Sequence, residues 1–183
     1  EKVSIGPERK SKVVVEKERK ISAYHEAGHA VVTHLLPNTD PVHKVTIVPR
    51  GRAGGFTMSL PEEEKGYYFK SEYLNMIKYA LGGRAAEQIV FNDITTGASS
   101  DIQHVTGIVH SMVKVYGMSD KFGPILLDGT REGDLFQQKY YSEETGKDID
   151  EEILSIVNTQ YQETLKLLRD NFDKLDVIAK ALL

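Results

Sequence analysis

The sequence predicts a mainly α-helical domain with one small β-sheet or hairpin. Three observations lead there. Apolar residues recur at three- and four-residue steps over several long stretches, the spacing of a buried helix stripe. Residues 42–60 carry the one convincing β-rich pattern, interrupted by glycines. No segment repeats, which removes solenoid and propeller architectures.

The charged stretch of residues 1–20 is broken by Gly6-Pro7, and the basic residues between Glu8 and Lys20 (Arg9, Lys10, Lys12, Lys17, Arg19, Lys20) are expected in a solvated linker or helix lead-in. The helical pattern starts at Ile21, continues through Tyr24, Gly28, Val31, Val32 and Leu35, and stops at Pro37-Asn38 and Asp40-Pro41. Val45, Ile47 and Val48 form a β-rich run ending at Pro49-Arg50-Gly51. Residues 56–60 form a second run after Gly54-Gly55, so a hairpin is expected. Helix then resumes with Tyr73, Met76, Ile77, Ala80 and Leu81, passing through Gly82-Gly83 to Ala86, Ile89 and Val90. A loop over residues 92–100 precedes a further helical run, Ile102, Val105, Ile108, Val109, Met112 and Val113. Residues 128–148 are rich in glycine and charge and are expected to form a loop, followed by helices at about 149–169 and 173–182.

At 183 residues the chain can bury a core as one domain, and 40% hydrophobic with 27% charged residues rules out disordered and collagen-like classes. Cysteine is absent, which excludes disulfide scaffolds, cysteine-based zinc clusters and thiol nucleophiles together. A net charge of -4 argues against nucleic acid as a partner. No apolar run approaches the roughly 18 residues of a membrane helix. The abrupt, charged beginning is expected of a piece of a longer chain.

The chemistry concentrates in His25-Glu26-Ala27-Gly28-His29. On a helix, positions four apart share a face, so both imidazoles can reach one metal ion. Glu26 then lies beside the open coordination position, where it can take a proton from an activated water. With 6 histidines in 183 residues such a pattern arises rarely by chance, in roughly 2% of shuffled chains. A catalytic zinc takes three protein ligands, so one more is required. A glycine three residues after His29 would mark the longer metzincin motif, but Val32 stands there. His34 falls near the opposite helix face and reads as a surface residue, as does His104. The acidic candidates for the third ligand are Glu62, Glu63, Glu64, Glu72, Glu87, Asp93 and Asp101, and spacing does not choose among them. Asp101 sits in the first turn of a helix, where a carboxylate is also favoured by the helix dipole alone.

Several ordered motifs carry a resemblance. They are Tyr24-His25-Glu26-Ala27-Gly28-His29-Ala30, the segment around His43-Lys44-Val45-Thr46, Leu81-Gly82-Gly83-Arg84-Ala85-Ala86-Glu87, Thr96-Gly97-Ala98-Ser99-Ser100-Asp101, and Gly117-Met118-Ser119-Asp120-Lys121-Phe122-Gly123-Pro124. Together they resemble the peptidase domain of the FtsH family of membrane-anchored AAA+ zinc metalloproteases, over nearly the whole chain. The resemblance implies that His25, His29 and Asp101 bind one Zn2+ and that Glu26 is the general base. It implies that Glu87 orients a histidine, and that Gly55, Phe56, Thr57 and Met58 form an edge strand holding substrate backbone. Gln88 stands where the family often has a second glutamate, so that position is not essential for the metal here. Residues 1–20 would be the link from an upstream ATPase module, and 21–183 the zinc peptidase domain.

The chain has no phosphate-binding loop, so ATP belongs to the missing module. The resemblance further implies a homo-hexamer, a membrane anchor upstream with the peptidase facing the cytoplasm, and a quality-control role on unfolded or membrane-extracted proteins. Two rival expectations are a catalytically inactive metal-containing scaffold at the base of a hexameric ring, and a metal-binding domain that reads peptides without cutting them. An intact Glu26 speaks against the scaffold, because a structural metal site needs no base.

Overall fold

A computed structural model describes residues 15–49, 54–60, 65–127 and 141–183. The elements are α1 (Glu16–Leu35), β1 (Val42–Thr46), β2 (Phe56–Ser59), α2 (Lys70–Phe91), a 3-10 turn (Thr96–Ala98), α3 (Ser99–Lys114), α4 (Glu143–Asp170) and α5 (Phe172–Leu182). Among the described residues the fold is of the expected class, mainly helical with one small β element, here a two-stranded sheet. The strands pair antiparallel with Lys44 opposite Met58, Val45 opposite Thr57 and Thr46 opposite Phe56, with an irregularity between Val42 and Lys44.

Two helix starts differ from the sequence expectation. α1 begins at Glu16 and not at Ile21, so residues 16–20 form its first turns, the helix lead-in of the two readings left open for that stretch. Glu16 and Glu18 place negative charge in the first turn, where the helix dipole favours it, and Arg19 pairs with Glu16. α4 begins at Glu143, not near residue 149. The Ser142 hydroxyl accepts the Thr145 N–H at 3.1 Å, and Glu143 and Glu144 fill the first turn. The expected loop thus shortens at its C-terminal end, and its residues 128–140 lie outside the described residues, as do Gly6-Pro7 and the glutamates 62–64.

α1 is also more enclosed than one apolar stripe implies, since every residue from Ala23 to Thr33 is buried. α2, α4, α5 and both strands pack around it, so its polar faces are covered as well. One core cluster joins Tyr24, Val31 and Val32 to Ala85, Ala86, Leu165, Leu168 and Leu175. A second joins Ile77 and Leu81 to Val105, Val109, Met112, Val113, Ile149 and Ile153. α2 and α4 run through both clusters and tie them together.

Glycines set how closely α1 and α2 approach. A Cβ on Gly28 would lie 2.3 Å from the Gly82 carbonyl oxygen, and one on Gly82 would lie 2.9 Å from the Gly28 oxygen. The helices therefore touch backbone to backbone. Glycine inside a helix costs about 1 kcal/mol relative to alanine, and here the crossing requires it.

Candidate metal centre

The buried middle of α1 presents His25 and His29 on one face, with their Nε2 atoms 3.1 Å apart. α3 delivers Asp101 from its first turn, and its Oδ2 lies 3.3 Å from His25 Nε2 and 3.6 Å from His29 Nε2. Among the described residues these three form the one group placed to hold a metal ion. Four ligands at the 2.0–2.1 Å typical of zinc define a tetrahedron with edges of about 3.3 Å, which the three observed separations bracket.

The outer nitrogens are equally committed. His25 Nδ1 lies 2.7 Å from Glu87 Oε1, and His29 Nδ1 lies 2.8 Å from the Tyr79 carbonyl oxygen. A carbonyl only accepts, so His29 Nδ1 carries the hydrogen and its Nε2 lone pair faces the cluster; the Glu87 carboxylate imposes the same tautomer on His25 when that ring is neutral. This donor set, two neutral imidazoles and a carboxylate with a covered perimeter, fits a zinc ion.

Electrostatics agree with that reading. Burial disfavours a charged His25, but the Asp101 and Glu87 carboxylates outweigh it and raise its pKa to about 9. Burial also pushes against an ionised Asp101, yet the His25 and His29 rings beside it hold it well below the usual carboxylate range. The field that stabilises an imidazolium here would equally stabilise a divalent cation in place of its proton.

Glu87 is 1% exposed, so both its oxygens need partners. Oε1 serves His25, and Oε2 accepts the Thr95 main-chain N–H at 2.6 Å. These bonds hold it ionised despite burial, with its pKa below the ordinary value. Gly83, one helical turn before Glu87, lies against His25: a Cβ there would be 2.4 Å from Nε2. Glu26 is buried on α1 beside β2. Its Oε2 accepts the Thr57 hydroxyl at 2.8 Å, and its pKa is raised by burial, against the opposing pull of His29 and His25.

Of the sequence-predicted residues, His25, Glu26, His29, Glu87 and Asp101 come together, with Thr57 reaching Glu26 from β2 and Gly55, which precedes the strand and is not part of it, lying against Glu26 as well. Phe56 is buried, and Met58 lines a cleft of about 420 Å³ together with Thr57, Met76, Tyr79 and His104. His34 is exposed, as expected, and His104 is an exposed residue of that cleft. Glu72 is turned elsewhere, bonded to Lys65 and the Phe69 N–H, and Asp93 accepts from the Ile94 N–H. Sequence reasoning missed Tyr79 and Thr95, which act through main-chain groups. The one available signal was the four-residue spacing of Tyr79, Gly83 and Glu87 along α2.

A glutamate beside a paired-histidine metal face, on a buried helix flanked by a short strand, defines the metallopeptidase class. The family model of peptidase family M41 matches residues 12–183, and the chain belongs to that family. It is 57% identical over its full length to 27% of the ATP-dependent zinc metalloprotease FtsH 2 of Alkaliphilus metalliredigens. It is 51% identical over its full length to 31% of FtsH 1 of Thermoanaerobacter sp., and 52% identical over its full length to 29% of FtsH of Veillonella parvula. The chain thus spans less than a third of the length of these curated relatives.

Proposed function

We propose that this chain is the proteolytic domain of an ATP-dependent zinc metalloendopeptidase that degrades unfolded or membrane-extracted proteins. His25, His29 and Asp101 hold the zinc, and the observation that carries this is their triangle of nitrogen and oxygen atoms at tetrahedral-edge spacing, with both Nδ1 atoms tethered. When bound, the metal supplies Lewis acidity toward water and toward the scissile carbonyl. Glu26 accepts a proton from the attacking water and delivers it to the leaving amine nitrogen. Glu87 keeps His25 oriented. Gly55, Phe56, Thr57 and Met58 offer an extended edge to substrate main chain; among the described residues β2 pairs with β1 alone, which supports that role. The adjoining cleft has room for a substrate side chain.

The remaining features follow from kinship with the FtsH proteins. Residues 1–20 lead from an ATPase module, the domain assembles as a homo-hexamer, and a membrane anchor upstream leaves the peptidase facing the cytoplasm. No helix among the described residues is long and apolar enough to cross a membrane.

The test is elemental mass spectrometry with a casein-cleavage assay. About one zinc per chain, lost in Asp101→Ala, and cleavage that a chelator abolishes and zinc restores are expected. A protein that takes up no zinc refutes the metal assignment. One that binds zinc and never cuts leaves the scaffold reading in its place.

A further inference from the structure

We propose that Thr57 is the positioning residue of Glu26, holding one carboxylate oxygen so that the other is left free to exchange a proton with the reacting water. The inference rests on the proposed peptidase reaction and deepens it.

Gly55 and Thr57 are two residues apart in extended chain and so turn to the same side, toward α1. The Thr57 hydroxyl lies 2.8 Å from Glu26 Oε2 and 3.1 Å from the Glu26 main-chain oxygen. Its single proton goes to the carboxylate while Glu26 is ionised, because the charged acceptor makes the stronger bond. At Gly55 the contact is defined by what is missing: a Cβ there would stand 2.8 Å from Glu26 Cγ and 3.0 Å from Oε1. Oε2 is therefore tied, and the absence of a side chain at position 55 leaves Oε1 uncrowded from that side.

Proton exchange follows from that asymmetry. A proton leaving water forms a bond to Oε1 as the water O–H bond breaks, and Oε2 loses negative charge. The Thr57 hydroxyl can then share its proton with the Glu26 main-chain oxygen, so it keeps an acceptor in both states of the base. When Oε1 passes the proton to the leaving nitrogen, the original bond is restored. A neutral hydroxyl suits this task better than lysine or arginine, whose charge would hold the carboxylate ionised and weaken it as a base. Thr57 thus acts through its side chain on Glu26, while its main chain remains part of the strand offered to substrate.

The experiment uses the zinc-loaded protein with Thr57→Val, which keeps shape and removes the donor, and Thr57→Ser, which keeps the donor. Thr57→Val is expected to lower kcat on a casein peptide by about tenfold to a hundredfold, with KM and zinc content unchanged. Thr57→Ser is expected to restore kcat to within about threefold. In a Glu26→Gln background, Thr57→Val is expected to cause no further loss. As a readout separate from turnover, 13C NMR of the Glu26 carboxyl carbon at neutral pH should show a moved resonance in Thr57→Val and an unmoved one in Thr57→Ser.

A raised KM at unchanged kcat would make Thr57 a substrate contact and overturn the proposal. Equal loss in the Val and Ser variants, or zinc loss in both, would overturn it in favour of a packing role. If the wild-type protein binds zinc but cuts nothing, the peptidase reading fails, and the NMR comparison still decides whether Thr57 holds Glu26. An unmoved resonance in Thr57→Val sinks it.

Discussion

Glu87 holds Thr95 through a main-chain N–H at 2.6 Å, with the carboxylate oxygen that does not serve His25. One buried side chain on α2 therefore fixes both a metal-facing histidine and the loop that leads into α3, where Asp101 sits. Zinc affinity is expected to fall about tenfold to a hundredfold in Glu87→Ala, since partners behind a ligand are worth that much. Glu87→Gln retains one acceptor and is expected to lose less. Chelator competition measures both, and equal affinity across all three proteins would show that Glu87 does not preorganise the site.

Gly83→Ala separates helix stability from the metal site. Alanine is the better helix former by about 1 kcal/mol, yet its methyl group would collide with His25 Nε2, 2.4 Å away. The expected outcome is a folded protein with undiminished helical circular dichroism and greatly reduced zinc content. A variant that keeps its zinc would mean the helices separate at no cost.

Glu26→Gln preserves shape but cannot accept a proton. Turnover is expected to drop by about a hundredfold to ten-thousandfold with zinc content unchanged. Near-wild-type cleavage of casein in this variant would remove Glu26 from the chemistry.

Between α1 and α5 the Tyr24 hydroxyl donates to Asp176 Oδ1 at 2.7 Å. Hydrogen bonds from Lys180 and Tyr24 lower the Asp176 pKa, and the same carboxylate raises the Tyr24 pKa to about 12. A depressed carboxyl adds stability that is present above its unfolded pKa of about 3.9 and is lost as pH falls through the folded value. Urea titrations from pH 6 downward are expected to show a shallower loss of stability in Tyr24→Phe than in wild type. Parallel curves would show the bond to be silent.

Ser142→Ala removes the α4 cap and is expected to destabilise the protein by about 1 kcal/mol, read from the urea midpoint. No change would place the true start of α4 further along the chain.

Periodicity and local spacing were enough to read the helical class, the hairpin and the His25, Glu26 and His29 face, because each depends on residues within a turn or two of one another. The start of α4 was readable in principle from Ser142-Glu143-Glu144, but the glycine-rich composition before it masked the cap. Asp101 was different. Seven acidic residues stood open until the resemblance favoured one, because the fold, not the spacing, brings α3 to α1. Tyr79 and Thr95 contribute a carbonyl and an N–H that every residue possesses, so no residue identity announced them. Thr57 looked like one residue of a substrate strand, and only the packing of β2 on α1 turns its hydroxyl to Glu26.

The backbone contact between Gly28 and Gly82 bears on how the protein breathes. With no side chain between these two glycines, there is little compressible matter at the crossing and no rotamer change there that could part the helices gradually. Deuterium exchange at that crossing is expected to require the rarest and largest openings of the domain, and each such event would carry His25 and His29 away from Asp101. Metal release and global unfolding would then share one rate.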